Sequence, residues 1–265
     1  MQRILKYLMV LIFLPAANKC FSQILSIDKS DTADYDIKAK SNFNFSIGLE
    51  IDKQKTTLYD ATNTAEFMLQ KKHELFIASG SYRFTSDGPD DILNAGFVHF
   101  RLRHNYKDKL EPEVFTQYQW DNKRGLLRRL LAGANIRYNF WKGDVLELNA
   151  AAGLMFENEK WNYAGVDSSK IPAAASDIIN SLLKINSYLR LDWKPNANSD
   201  ITFKVYFQTR PDRLRPRIAP LFNWTISAGK HTAFSVGFNG IYDSSPVVPI
   251  DKFYYNLTNS LVLKW

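Results

Sequence analysis

Residues 252–265 read KFYYNLTNSLVLKW. Phe253, Tyr255, Leu257, Leu261, Leu263 and Trp265 share one parity, while Lys252, Asn256, Thr258, Ser260 and Lys264 share the other. Successive side chains of a strand point to opposite faces, so an extended chain here carries one apolar face and one wet face. The stretch also ends on an indole, an aromatic terminus on the apolar parity.

Working outward, the same alternation organises the rest of the chain. Ile37, Ala39, Phe43, Phe45, Ile47, Leu49 and Ile51 keep one parity against Lys38, Lys40, Asn42, Asn44, Ser46, Glu50 and Asp52. A soluble strand averages about five or six residues, whereas a tilted strand crossing a bilayer needs roughly nine to eleven. Period two sustained over residues 37–52 therefore favours a membrane strand. Val114, Thr116, Tyr118 and Trp120 against Glu113, Gln117, Gln119 and Asp121 repeat it, as do Leu130, Ala132, Ala134 and Ile136 against Arg129, Asn135 and Arg137. Further copies fall at residues 57–71, 75–84, 92–106, 146–157, 183–193, 201–210, 218–227 and 234–239. The count predicts an all-β chain, a transmembrane antiparallel up-and-down β-barrel of about twelve strands over residues 37–265, with residues 37–52 pairing to the closing strand.

The connections sort into two sets. Residues 71–73, 107–111, 141–144, 195–200 and 229–231 are expected as short turns at one end. Residues 53–55, 86–91, 122–128, 158–181, 211–216 and 243–251 are expected at the other, and only there is a long connection found. Tyr106, Phe140, Trp141, Trp193 and Trp265 fall at the first end, and Tyr59, Tyr82, Phe84, Trp120, Phe156, Trp161, Tyr242 and Phe253 at the second. This is the double aromatic girdle expected of a membrane barrel. A secreted soluble all-β domain is the alternative, and it gives no reason for such sorting.

Composition agrees. Of 265 residues, 45% are hydrophobic and 14% aromatic, with a mean hydropathy of -0.29, values that fit a folded chain without apolar helices. Residues 1–22 carry Arg3 and Lys6 ahead of an apolar run and read as a cleavable signal peptide. Cleavage before Gln23, after Cys20 and Ser22, resembles the pattern of secreted proteins of Bacteroidetes-type bacteria. Residues 23–36 then form a polar periplasmic leader. Cys20 is the single cysteine; Asn18 and Lys19 before it argue against lipidation, so the mature chain offers neither disulfides nor thiolate chemistry. Loss of Arg3, Lys6 and Lys19 takes the formal charge from +7 to +4, too modest a basicity to argue for nucleic acid.

The inward parity is rich in cations. Lys38, Lys40, Arg83, Arg101, Arg103, Arg129, Arg137, Lys184, Arg190, Lys204, Arg210 and Arg217 are the candidate lumen-lining residues, set against Glu50, Asp52, Asp60, Glu66, Glu113, Glu147, Glu157 and Asp192. About twelve strands lies between barrels filled by side chains and barrels with an aqueous channel. Two readings follow: an ion-pair network that fills the barrel, or a narrow channel for small anionic solutes. A lipid-modifying enzyme is a third, and it would want a base and a nucleophile two apart on one strand face. His73, His99, His104 and His231 lack a serine at that spacing, and no cofactor or metal motif is present. Arg210, Arg213, Arg215 and Arg217 read as a solvated loop edge, with a grip on lipid phosphates as the alternative.

With the strands placed, residues 37–265 resemble a family of Gram-negative outer-membrane proteins of unknown function, some described as salt-stress-induced. The likeness rests on EVFTQYQWD at 113–121, NKRGLLRRLLAGANIRYNF at 122–140 and DVLELNAAAGLMFE at 144–157. It implies location in the cell outer membrane and adds no activity. The expected partners are outer-membrane lipids and the barrel-insertion machinery, which would read Phe253, Tyr255, Leu261, Leu263 and Trp265 as the assembly signal. Deleting residues 261–265 should therefore abolish outer-membrane assembly, read as loss of the heat-modifiable band on unboiled gels; a normal band refutes the assignment.

Overall fold

The computed structural model describes residues 41–53, 55–229 and 232–263. The strands are β1 (Ser41–Lys53), β2 (Thr57–Gln70), β3 (Glu74–Asp87), β4 (Asp90–His104), β5 (Leu110–Asp121) and β6 (Leu126–Lys142). They continue with β7 (Leu146–Trp161), β8 (Ile178–Asn196), β9 (Ser199–Thr209), β10 (Arg217–Ala228), β11 (Thr232–Asp243) and β12 (Phe253–Leu263). All twelve lie in one sheet in chain order, each antiparallel to its sequence neighbours.

Why these residues form strands is clearest in β5. Leu110, Pro112, Val114, Thr116 and Tyr118 are exposed, while Glu111, Glu113, Phe115, Gln117, Gln119 and Asp121 are buried, residue by residue. The apolar parity faces out and the polar parity faces in, the reverse of a strand packed on a soluble core. The sheet rolls so that distant strands share this inner face. Tyr188 of β8 reaches Glu113 of β5 at 3.0 Å, Arg129 of β6 reaches Gln208 of β9 at 3.2 Å, and Arg217 of β10 reaches Glu157 of β7 at 3.0 Å.

The expected pairing of the first and last strands is not seen among the described residues. Among the described residues no ladder joins β12 back to β1; β12 pairs with β11 and β1 with β2. Both faces of β1 are exposed for most of its length. Residues 37–40, part of the expected pairing, lie outside the described residues.

The connections do sort by end. The connections after β2, β4, β6, β8 and β10 lie at one end of the sheet, and those after β1, β3, β5, β7, β9 and β11, among them residues 88–89, 122–125, 162–177, 210–216 and 244–252, at the other. The longest loop is shorter than the sequence suggests, because Asn158↔Ser181 and Lys160↔Ile179 continue the β7–β8 ladder. Two aromatics depart from the expected girdle. Tyr106 packs on the inward-facing Met68, Leu75 and Ile77 at the short-turn end. Trp161, 3% exposed, joins Leu126, Val166 and Val248 beneath the long loops. Both rings find an apolar cluster at the mouth of the roll, which offers more burial than the outer rim.

Two glycines permit close approach. Gly125 has φ +79° and follows a 3-10 turn at residues 122–124, so a side chain there is strained. At Gly153 a Cβ would stand 1.9 Å from the Ala134 carbonyl oxygen, which makes the β6–β7 approach depend on its absence. Gly153→Ala is expected to destabilise the fold by about 1–3 kcal/mol, measured by urea titration of tryptophan fluorescence in detergent micelles.

Candidate functional site

Taking a charge out of water costs several kcal/mol unless an opposite charge and hydrogen bonds replace the lost hydration. The interior meets this condition in three tiers along the roll, each centred on a carboxylate. Nearest the short turns, Glu111 receives Arg137 at 3.3 Å, Lys142 at 3.5 Å and the Asn139 amide at 2.7 Å. One inward step along β5, Glu113 faces Arg101 at 3.8 Å and Arg103 at 3.5 Å and accepts from the Asn135 amide and the Tyr188 hydroxyl at 2.7 and 3.0 Å. Near the long loops, Glu157 gathers Arg129 from β6, Lys184 from β8 and Arg217 from β10. Arg217 also meets Asp243 at 2.7 Å and Glu159 at 3.6 Å.

A hydrogen-bonded line ties the upper tiers together. Arg129 donates to Gln208 at 3.2 Å, Gln208 to Asn186 at 3.1 Å, Asn186 to Asn135 at 3.2 Å, and Asn135 to Glu113. Between the tiers sits an aromatic filling of Phe97, Tyr188 and Tyr206 with Ala151 and Ala219. Lys204 lies 4.6 Å from the Tyr206 ring centre and 5.0 Å from that of Tyr188, cation–π contacts that offset part of its burial. His99 is 0% exposed, its Nδ1 3.1 Å from the Gln117 amide oxygen.

At the long-loop end Arg124, on the turn between β5 and β6, lies 4.5 Å from the Tyr254 ring centre and 5.7 Å from that of Trp161. Burial lowers its guanidinium pKa from the usual value, with the Asp121 carboxylate opposing the shift. This arrangement ties β12 to the middle of the sheet. Chemically, the interior holds fixed charges in fixed pairs; among the described residues no group of three or more His, Cys, Asp or Glu is placed to hold a metal ion.

The family described as "Protein of unknown function, DUF481" matches residues 52–265. The chain belongs to this family. No curated protein and no solved structure matches it.

In this DUF481 chain, Arg101, Arg103, Arg129, Arg137, Lys184, Arg190, Lys204 and Arg217 are all buried on the inner face. Arg190 pairs with Asp192 at 2.5 Å. Arg83 is half-buried and pairs with Asp60 at 3.0 Å on the β2–β3 side, apart from the three tiers. Arg210 stands past the end of β9, pairing with Asp212 at 2.5 Å on the rim. Lys38 and Lys40 lie outside the described residues. Of the terminal set, Phe253, Tyr255 and Leu261 are exposed on the outer face, Leu263 ends β12, and Trp265 lies outside the described residues.

Sequence reasoning placed Glu111 in a turn and Glu159 and Asp243 in loops. The signal that finds the first two is parity, since Glu111 and Glu159 are each two residues from a carboxylate already assigned inward. Phe97, Tyr188 and Tyr206 gave no such signal, because aromatics on the polar parity look like breaks in the pattern. Glu157→Gln leaves three buried cations around a neutral amide and is expected to destabilise the fold by about 3–5 kcal/mol. Adding Arg129→Met should recover part of that loss in the same urea titration, and an additive double variant would show that the two side chains are uncoupled.

Proposed function

We propose that this chain is an integral protein of the cell outer membrane, reached after cleavage of residues 1–22, in which the rolled sheet forms a β-barrel with a structural, non-enzymatic role in the envelope. The observation that carries this reading is the Glu157 tier. Glu157 is 0% exposed and Arg129 1% exposed, so charges that would line a channel are spent on one another.

The outer face supports a lipid environment. Among the described residues thirty-eight large apolar side chains are exposed, while buried polar and charged residues outnumber buried apolar ones by 27 to 20, an inversion that water would not favour. Hydroxyls on the outer face bond to the backbone of a neighbouring strand: Thr116 donates to the Leu131 carbonyl at 2.9 Å and Ser187 to the Phe207 carbonyl at 3.3 Å. Polar groups in hydrocarbon need such internal partners. Phe140, Trp141 and Trp193 remain exposed toward the short-turn end, and Tyr59, Tyr82, Tyr242 and Phe253 toward the other.

The anion channel is the weaker reading. Among the described residues nine buried cations stand against six buried carboxylates, and half-buried Glu147 and Asp192 lie against Arg137 and Arg190 at 2.8 and 2.5 Å. A pore that focuses positive potential needs cations facing open water. In planar bilayers the purified protein is expected to give no steady anion-selective current; a reproducible one would overturn the structural reading. Recovery of the tagged protein in a fraction other than the outer membrane would overturn the location.

A further inference from the structure

At the long-loop end, a cavity of about 250 Å³ opens between β8 and the 210–216 and 244–252 loops. Lys184 and Arg217, each 6% exposed, form its floor. Arg210 and Arg215 stand at the rim, and Asn180 and Ser245 add an amide and a hydroxyl. The rim is held in place from both sides: Asp212 accepts two hydrogen bonds from Arg210 at 2.8 and 2.5 Å, and the Arg215 backbone N–H donates to the Thr209 hydroxyl at 3.2 Å.

Glu159 and Asp243 also face the cavity, so the charge balance decides what it can take. Both carboxylates are engaged by Arg217, which also reaches Glu157 below. With these neighbours included, Arg129, Lys184, Arg210, Arg215 and Arg217 are set against Glu157, Glu159, Asp212 and Asp243. One positive charge is left over. It belongs to Arg215, which makes no ion pair among the described residues.

We propose that this cavity binds a phosphate group. An anion supplies the missing charge, and guanidinium forks match the oxygens of phosphate in pairs. A carboxylate presents its acceptor sites in one plane, whereas a tetrahedral oxyanion offers acceptors on several sides to the Arg210, Arg215, Asn180 and Ser245 donors that surround the cavity. The group is either inorganic phosphate or the phosphate of a lipid headgroup reaching over the rim. The proposal goes beyond the envelope role and does not depend on it, since free phosphate can be tested in any setting.

The test is calorimetric titration of the full chain in detergent micelles, first with inorganic phosphate and then with micelles containing phosphatidic acid or, as the phosphate-free control, diacylglycerol. Saturable binding to a phosphate probe is expected, weakened about tenfold or more by Arg215→Gln. Arg213→Gln, which removes a charge from the same loop outside the cavity, should leave it unchanged. Binding of inorganic phosphate identifies a free oxyanion as sufficient; binding of phosphatidic acid alone identifies a lipid headgroup. The proposal fails if neither probe binds, if diacylglycerol binds equally, if Arg215→Gln has no effect, or if both variants weaken binding alike. Retention of the heat-modifiable band by each variant excludes misfolding as the cause of a loss.

Discussion

Glu157 is the point on which the interior depends. A carboxylate with no exposure is tolerated only where opposite charge is close on several sides, and here it comes from strands on both sides of β7, from β6, β8 and β10. Arg217 must cross from β10 to reach it, which happens only if the sheet curls. Ladder hydrogen bonds make the sheet; the shared carboxylates determine which strands of its inner face stand opposite one another.

Much of this was legible from residue order. Alternation located all twelve strands, because one face meets an apolar surround and the other a largely polar interior, and that contrast persists through Glu111–Asp121 and Arg129–Asn139. The connections were legible for a related reason, since turns interrupt the alternation. What was not legible is which way residues at strand ends turn. Tyr106 and Trp161 sit where the pattern predicts a girdle, yet each packs into a cluster assembled from other strands and loops. No local signal encodes partners that far away in sequence. The same holds for the pairing of cations with carboxylates: the sequence supplies both sets on one parity, and only the roll decides that Tyr188 meets Glu113 across 75 residues.

The interior is uneven around its circumference. From β4 to β10 the inner face is packed with ion pairs, amides and aromatic rings, and His99, Asn149 and Glu157 are fully buried. On β1 the inward parity stays exposed, and on β2 and β3 much of it is half-buried. Asp60 and Arg83 form the main ion pair there, with Thr85 adding a hydrogen bond to Asp60 at 2.9 Å. Rigidity should therefore rise from the edges of the sheet toward its middle, with the Arg124–Tyr254 contact as the tether that brings β12 back toward the packed side.

Up-and-down sheets are easily imagined to grow or shrink by whole hairpins, since every ladder here joins sequence neighbours. The hydrogen bonds alone would permit it. The shared carboxylates do not: loss of β9 and β10 would strip Arg217 from Glu157, Glu159 and Asp243 and Gln208 from Arg129 at one stroke. A hairpin duplication or deletion in an ancestral gene would thus arrive with an unbalanced interior. Strand number in this fold is consequently constrained by electroneutrality as well as by geometry.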